Sequence, residues 1–442
     1  MKKDTLETLL IRVPVAIFSF MYSIFLIRML GPEGNGLYSF IMAGIGLSIL
    51  VFGLDAKKST LYHIVREEYN TEKVIGFTFK LGGLSTIIVV IILTVLYLLQ
   101  NPVSFFFIPE EYFYLFYVLF FIGSFICQHF TELFSSIIMG HKAFRNYNLF
   151  MFFTSLLQVL FYGMGYLMVT RIGEERNFRL LFLFILGIQL LILLTSWILY
   201  RKTFKGRVNY KADAIRPSYL RYARLSYADQ IGHFLNKRVD IWFIEVFSGL
   251  KSLGIYALAS QMTNFLLLFA APVEEVLKPY LIGMDRVEGN KVFTQYFRLI
   301  FYLISGMALG LFLVGPWLIP TFFGEDFSAA VVPLKILAVG VVFVNLKRMM
   351  INYNKAFNDL KINIWAQWSG VLVTVILDVI LIPTYGINGA AWASLLAYIA
   401  TALVLGIYLL KRQSISLSDL ILLKSNDIRV LKALLNRLLM QK

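Results

Sequence analysis

A stretch near the middle of the chain carries polar side chains at steps of three or four residues, which places them on one face of a helix. Lysine or arginine on such a face could hold a phosphate group, and aspartate could carry a proton or a metal cation. Because the residues between them are apolar, the face is expected to meet protein, water or a ligand. The polar face comprises Ser226, Asp229, Gln230, His233, Asn236, Lys237 and Asp240, and Arg238 lies about 100° to its side.

Five cations in apolar segments are predicted to bind an anionic substrate group. Arginine suits phosphate because its planar fork binds two oxygens at once, whereas lysine acts as a point charge. Structural roles stay open, since Lys237 and Asp240 could neutralise each other and the two N-terminal arginines could extend out of the apolar region. The predicted substrate-binding residues are Arg12, Arg28, Lys237, Arg238 and Arg348.

Three carboxylates are predicted to couple transport to a proton or sodium ion, because a desolvated carboxylate can titrate or bind a cation. They are Asp240, Asp378 and Glu132, although Glu132 could instead pack against another polar group. Further polar stripes run along the segments 345–352 and 363–378. The predicted cavity-lining residues are His233, Asn236, Asn345 and Gln367.

Signals for catalysis are weak. The four histidines lack metal-ligand spacing, and the chain contains neither H-E-x-x-H nor a P-loop. The one cysteine, Cys127, excludes an intrachain disulfide and a cysteine-rich metal site. We therefore expect no cofactor, no metal and no enzymatic activity. Energy for any work that the protein does must then come from an ion gradient, the substrate's own gradient or a separate protein.

The elements that position these residues are predicted to be membrane-spanning helices. Hydrophobic residues make up 59% of the 442 residues and charged residues 15%, and the mean hydropathy is +0.73, far from a soluble average. Twelve apolar runs are long enough to cross about 30 Å of hydrocarbon. They lie near 8–30, 36–54, 75–99, 112–138, 148–170, 180–200, 226–247, 254–280, 297–319, 331–354, 364–382 and 388–410.

Two phrases occur twice in the chain. A G-x4-G-x-Y phrase starts at Gly31 and again at Gly249, and Lys-Ala-Phe starts at Lys142 and again at Lys355. The similar offsets indicate a duplicated body, which is typical of transporters. The prediction is an all-α membrane protein with two six-helix lobes related by a pseudo-two-fold axis along the membrane normal. The predicted domains are the lobes 1–200 and 225–410, a basic connector over 201–224 and an amphipathic cytoplasmic tail over 411–442.

Lysine and arginine concentrate at one end of the predicted helices, with eight of them in the connector 201–224 alone. The positive-inside rule then predicts that both termini are cytoplasmic. This asymmetry also accounts for the formal net charge of +15 without a nucleic-acid partner, because anionic membrane lipids supply the counter-charge.

Three segments resemble one family. The segment 382–398, IPTYGINGAAWASLLAY, is similar to a signature near the end of Wzx-type polysaccharide and O-antigen flippases. The segment 28–40 resembles the end of their first helix, and 237–259 resembles their seventh helix and the start of the eighth. The resemblance implies membership of the multidrug/oligosaccharidyl-lipid/polysaccharide exporter superfamily. It also implies two lobes around a cavity that moves a lipid-linked oligosaccharide. The related lipid II flippases usually have two further helices, which the sequence lacks.

The leading functional hypothesis is a flippase that moves undecaprenyl-pyrophosphate-linked oligosaccharide from the inner to the outer leaflet of the bacterial cytoplasmic membrane by alternating access. Its expected partners are this substrate, a coupling proton or sodium ion, anionic lipids and polysaccharide-assembly enzymes. Two alternatives stay open. A cation-coupled drug antiporter of the same superfamily would require a carboxylate-dominated pocket, and a glycosyltransferase or polysaccharide polymerase would require a larger outer loop.

Overall fold

A computed structural model describes residues 2–66, 69–172, 177–211, 215–282, 284–413, 415–422, 424 and 427. It describes the backbone alone at 2–10, 170–172, 222–226, 228, 229, 271–280 and 282. Throughout these ranges the chain forms helices and no β-strand. The helices are α1 (Lys2–Gly53), α2 (Ala56–Arg66), α3 (Thr71–Leu99), α4 (Leu115–Gly140), α5 (Phe144–Ile172), α6 (Phe178–Thr203), α7 (Arg216–Arg238), α8 (Asp240–Ile282), α9 (Arg286–Phe323), α10 (Val331–Ala356), α11 (Leu360–Arg412) and α12 (Leu417–Ile421), with 3-10 helices at Pro102–Phe106, Glu110–Tyr112 and Glu325–Ala330.

Glycines divide the longest apolar segments. Nine helical segments of the described residues are long and apolar enough to cross a membrane. Three of them contain a glycine with a positive φ, namely Gly31 (67°), Gly249 (77°) and Gly386 (55°), a conformation that glycine adopts without steric cost. If the parts before and after each of these three glycines are counted as separate spans, the nine segments give twelve spans. This count confirms the predicted all-α membrane fold with about twelve spans.

Burial along α11 shows how the sequence suits a membrane. The apolar side chains of Leu372 and Ile376 are more than 45% exposed, whereas Gln367, Thr374 and Asp378 are at most 2% exposed. A soluble helix has the opposite arrangement, with polar residues toward solvent. The exposed apolar face of α11 therefore suits lipid, and its polar face lies inside the protein.

The chain divides into two compact units, which are described separately. One unit comprises Met1–Ala257 and Thr321–Phe327, and the other comprises Leu258–Pro320 and Ser328–Lys442. These units are defined by packing, whereas the predicted lobes were defined by repeated phrases in the sequence. The lobe bounds 1–200 and 225–410 therefore stay a prediction.

In the first unit, α1 packs against α5, α4 packs against α6, and α2 contacts α3, α4 and α7. The short helix α2 was not predicted, since the sequence there was assigned to a connection. A buried hydroxyl network joins α2 to α7. The Tyr219 hydroxyl lies 2.8 Å from the Thr60 hydroxyl and donates to the Ala56 carbonyl oxygen at 2.9 Å. Burial raises the pKa of Tyr219 to about 12, so the neutral hydroxyl holds both helices in place.

In the second unit, one apolar cluster joins the inner faces of α9, α10 and α11. Phe293 and Tyr353 are fully buried, with ring centroids 4.5 Å apart. Leu405 and Leu409 belong to the same cluster. The final part of α11 is therefore fixed against the helices that precede it.

Candidate functional site

A cavity of about 400 Å³ lies in the first unit, between the second half of α1, α2, α4 and α7. The helices α2, α4 and α7 and the turn before α2 bring ionisable or amide side chains to it from positions far apart in sequence. These side chains belong to Asp55, Lys57, Lys58, Gln128, His129, Glu132, Gln230, His233, Lys237 and Arg238.

Cations outnumber carboxylates among the lining residues that the structure describes. Of these residues, lysine and arginine contribute four positive charges, and Asp55 and Glu132 contribute two negative ones. The Lys57 Nζ atom lies 3.7 Å from Glu132 Oε1, and Lys58 Nζ lies 4.0 Å from Asp55 Oδ2. Both pairs are wide for ion pairs, and the Lys57 and Glu132 side chains are 48% and 41% exposed. Lys57 and Glu132 are thus accessible to a ligand.

Two of the cations lie where α7 ends. Val239 separates α7 from α8, and its N–H donates to the Leu235 carbonyl oxygen at 3.0 Å as the last bond of the helix. Lys237 and Arg238 occupy the preceding turn, where the helix dipole favours positive charge. Because His233 lies one turn before Lys237, both reach the same cavity wall.

The other two cations begin α2. Leu54 and Asp55 both have positive φ, at 48° and 49°, and turn the chain sharply between α1 and α2. This turn directs Lys57 and Lys58 toward the cavity. These two lysines were not among the predicted substrate-binding residues, because they lie outside an apolar run. A basic pair directly after a membrane helix was the available signal.

On α4, His129 and Glu132 line the cavity together with Gln128. The His129 Nε2 atom lies 3.0 Å from the Ser85 hydroxyl on α3, and the ring stacks on Phe125 with centroids 5.3 Å apart. These contacts fix the imidazole. Glu132 faces the cations, and its predicted role in ion coupling stays a prediction.

The two N-terminal arginines do not line the cavity. Arg28 donates through Nε to the Phe322 carbonyl oxygen at 2.6 Å and through Nη2 to the Thr321 carbonyl oxygen at 2.8 Å. Its guanidinium therefore satisfies carbonyls at the end of a helix, a common role for a cation. Arg12 is half-buried on α1.

Asn236 and Asp240 are buried close to the cavity-lining part of α7 and do not line it. The Tyr256 hydroxyl donates to Asp240 Oδ2 at 2.5 Å. Tyr256 ends the second copy of the repeated phrase, so the phrase holds the carboxylate that was predicted to couple transport. The predicted Ser226 and Asp229 side chains lie outside the described residues, as does the tail from 428 to 442.

The second unit holds the remaining predicted residues on two adjacent helices. Asn345 on α10 and Gln367 and Asp378 on α11 are at most 2% exposed, and Arg348 is half-buried. The structure adds Lys347, which is 3% exposed and whose Nζ lies 4.7 Å from the Tyr398 ring centroid. A buried lysine over an aromatic ring gains a cation–π contact. The roles predicted for Arg348 and Asp378 stay predictions.

Residues 1–284 match the model of a family described as polysaccharide biosynthesis protein. A curated relative from Haloferax volcanii, the probable low-salt glycan biosynthesis flippase Agl15, is 24% identical over 196 residues, which are 43% of this chain and 42% of that protein. The chain thus spans less than half the length of that relative.

Solved structures show the same fold over nearly the whole chain. The lipid II flippase MurJ in an inward closed conformation superposes with a TM-score of 0.70 at 16% identity, covering 92% of this chain and 89% of MurJ. An inward-facing multidrug resistance MATE family transporter of the MOP superfamily gives a TM-score of 0.67 at 14% identity, covering 92% and 98%. One is a flippase and the other a transporter by name, and at these identities the likeness shows the fold alone. The chain therefore belongs to the polysaccharide biosynthesis protein family and is a multi-pass membrane protein with the fold of the MOP superfamily transporters.

Proposed function

We propose that the protein is a flippase that moves an undecaprenyl-pyrophosphate-linked oligosaccharide from the inner to the outer leaflet of a bacterial cytoplasmic membrane. The observation that carries this proposal is the cationic cavity bounded by α2 and α7. A pyrophosphate cannot enter hydrocarbon bare, because an unpaired ion there costs tens of kcal/mol in the Born limit. Fixed cations must replace its water, and Lys57, Lys58, Lys237 and Arg238 line one cavity.

The charge balance of the cavity argues against export of cationic drugs. A pocket for an organic cation is expected to be dominated by carboxylates, whereas among the described lining residues cations outnumber carboxylates four to two. Glu132 and Asp55 then have a supporting role. By lying near the lysines they limit the affinity for the pyrophosphate, which allows the substrate to be released after crossing.

We further propose that transport is coupled to a proton or sodium ion at Asp378, with Asp240 as a second carboxylate. Asp378 is fully buried among the polar residues of α11, and a carboxylate in such a setting binds a cation or a proton. Asp240 accepts a hydrogen bond from Tyr256 and is 5% exposed. The orientation with both termini in the cytoplasm follows the charge asymmetry of the sequence.

The test uses protein in liposomes, with the lipid-linked glycan extracted from the source membranes. Replacing both Lys237 and Arg238 with alanine removes two charged donors, each worth about 1.5 to 3 kcal/mol, so we expect at least a tenfold loss of affinity for undecaprenyl pyrophosphate and a matching loss of flipping. Lys80→Ala is the control, because Lys80 is exposed on α3 and does not line the cavity.

In the same liposomes Asp378→Asn should abolish the response to an imposed ion gradient and leave lipid binding unchanged. Undiminished flipping by the double alanine variant would refute the cavity as the headgroup site. An unchanged gradient response in Asp378→Asn and in Asp240→Asn would refute the proposed coupling residues alone.

A further inference from the structure

A second, smaller cavity lies inside the first unit, between α1, α4, α5 and α6. Its volume is about 220 Å³, about half that of the cationic cavity. Among the described residues its lining contains no charged side chain. The polar lining consists of Tyr38, Gln128, Thr131, Gln158, Tyr162 and Gln189.

Several polar atoms of this lining have no partner within the described part of the chain. Gln189 is 9% exposed, and its Oε1 atom is buried without a hydrogen bond, as is the Thr131 hydroxyl. The amide nitrogens of Gln128 and Gln189 meet only the Met42 sulfur, at 3.0 and 4.0 Å, which is a weak acceptor. Buried polar groups are normally hydrogen-bonded, so these amides are available for a ligand or water.

The chemistry of the lining selects a neutral, hydroxyl-rich ligand. Amide groups donate and accept at once, as sugar hydroxyls do, and the two tyrosines add aromatic faces with a polar tip. Without a charged side chain the pocket offers a phosphate no counter-charge. It also lacks the carboxylate expected of a proton or cation site.

The two cavities adjoin, because Gln128 lines both of them. We infer that the smaller cavity is a glycan subsite that receives a sugar of the lipid-linked oligosaccharide while the pyrophosphate lies among the cations. This inference rests on the proposed function and extends it, since it assigns separate residues to the charged and neutral parts of one substrate. A volume of about 220 Å³ suits one sugar ring and not a whole oligosaccharide.

The test measures two dissociation constants with the purified full chain in nanodiscs. One probe is synthetic undecaprenyl pyrophosphate without sugar, and the other is the glycosylated lipid extracted from the source membranes. A site built to hydrogen-bond hydroxyls strongly disfavours a ligand that lacks them. The glycosylated lipid is therefore expected to bind the native protein at least tenfold more tightly than the bare lipid.

Gln189→Met and Gln158→Met keep the length of the side chain and remove its amide. Each should reduce that preference about fivefold to tenfold and leave the dissociation constant of the bare lipid within twofold. Gln100→Met is the matched control, because Gln100 is exposed at the end of α3 and does not line the pocket. If Gln189→Met unfolds at a lower temperature than the native protein, the Gln158→Met variant tests the inference, because Gln158 is only half-buried.

An equal affinity of the native protein for both lipids, or an unchanged preference in both methionine variants, would overturn the inference and leave the pocket as a site for water only. Failure of the proposed function is distinguishable, because it appears as unchanged binding of the bare lipid when Lys237 and Arg238 are both replaced with alanine.

Discussion

At the scale of single residues, the two copies of the repeated phrase meet each other. A Cβ atom on Gly36 would lie 1.9 Å from the Leu250 carbonyl oxygen, and one on Gly254 would lie 1.8 Å from the Pro32 carbonyl oxygen. The Asn35 side chain adds a hydrogen bond of 2.7 Å to the Gly254 carbonyl oxygen. Backbone thus packs directly on backbone, which only glycine permits.

Gly36→Ala and Gly254→Ala should each separate these two segments, because a Cβ so close to a backbone carbonyl cannot be accommodated by moving a side chain. We expect a stability loss of about 1 to 3 kcal/mol, typical of overpacking, and a large loss of flipping. Thermal unfolding and flipping by the same preparation provide the measurement. Gly83→Ala is the control, since a Cβ there meets nothing within 4 Å, and an equal effect of all three variants would contradict the contact.

Sequence reasoning identified part of the candidate site at this scale. The stripe on the seventh apolar run contains His233 and Lys237, because a helical period can be seen within a single segment, and both line the cationic cavity together with Arg238. The smaller cavity was missed because its three glutamines come from three different helices. No local pattern links residues that only tertiary packing brings together.

At the scale of elements, the chain after α11 is held against α9 by a buried ion pair. Arg298 donates to both Asp427 carboxylate oxygens, at 2.7 and 2.9 Å, and the two side chains are 4% and 0% exposed. Arg298 also donates to the Asp419 carbonyl oxygen, and the Tyr302 hydroxyl donates to the Ile421 carbonyl oxygen at 2.8 Å. Two of these hydrogen bonds attach the short helix α12 to α9, and the other two attach Asp427.

Asp427→Asn should detach this segment, because it leaves the buried Arg298 charge unpaired, at a cost of about 3 to 5 kcal/mol. Amide hydrogen exchange over 415–424 should become much faster. Lys424→Gln is the control, since it removes only the partly exposed ion pair with Asp419, which contributes little. Equal protection in Asp427→Asn and the native protein would contradict the attachment.

The attachment also has a defined pH dependence. The hydrogen bonds from Arg298 hold the pKa of Asp427 below its ordinary value, which is about 3.9. The stabilisation is present above that ordinary value and is lost as the pH falls through the lowered pKa. The exchange rates of this segment should therefore be insensitive to ionisation of Asp427 at neutral pH.

The sequence predicted the long helices better than the short ones. Apolar runs of membrane length are unambiguous, so the twelve spans agree with the structure. Helix α2 lies in a predicted connection and buries polar residues such as Thr60 and His63. Its sequence therefore shows no apolar period from which a helix could be predicted. Helix α7 begins at Arg216, ten residues before the apolar run, because its first turns pack through Tyr219 on α2.

At the scale of the whole molecule, the orientation in the membrane stays a prediction that labelling can test. Glu110, Asp326 and Lys211 are exposed. A cysteine that replaces Glu110 or Asp326 should react with an impermeant reagent from outside the cell, whereas one that replaces Lys211 should react only after permeabilisation. Cys127→Ala removes the background thiol. Ser104→Cys is a negative control, because Ser104 is 2% exposed. If the cysteine that replaces Lys211 were the only one of the three to react from outside, the predicted orientation would be wrong.

The fold of the whole chain was predictable because three independent features agreed. Composition indicated a membrane, the apolar runs gave the number of spans, and the doubled phrases indicated two related halves. The bounds of those halves are harder to predict, because the compact units of the structure share α8 and α9. The compact units are defined by which helices pack together, whereas the predicted halves are defined by which segments repeat in the sequence.

The contact between Gly36 and Gly254 restricts how the two copies of the repeated phrase can change in sequence. Where two segments touch through side chains, a larger residue in one segment can be offset by a smaller residue in the other. Here the neighbour of each glycine is the main chain of the other copy, and a main chain cannot be made smaller by any substitution. Neither position can therefore be rescued by a compensating change at the other, and both copies of the phrase must keep their glycine for as long as they touch.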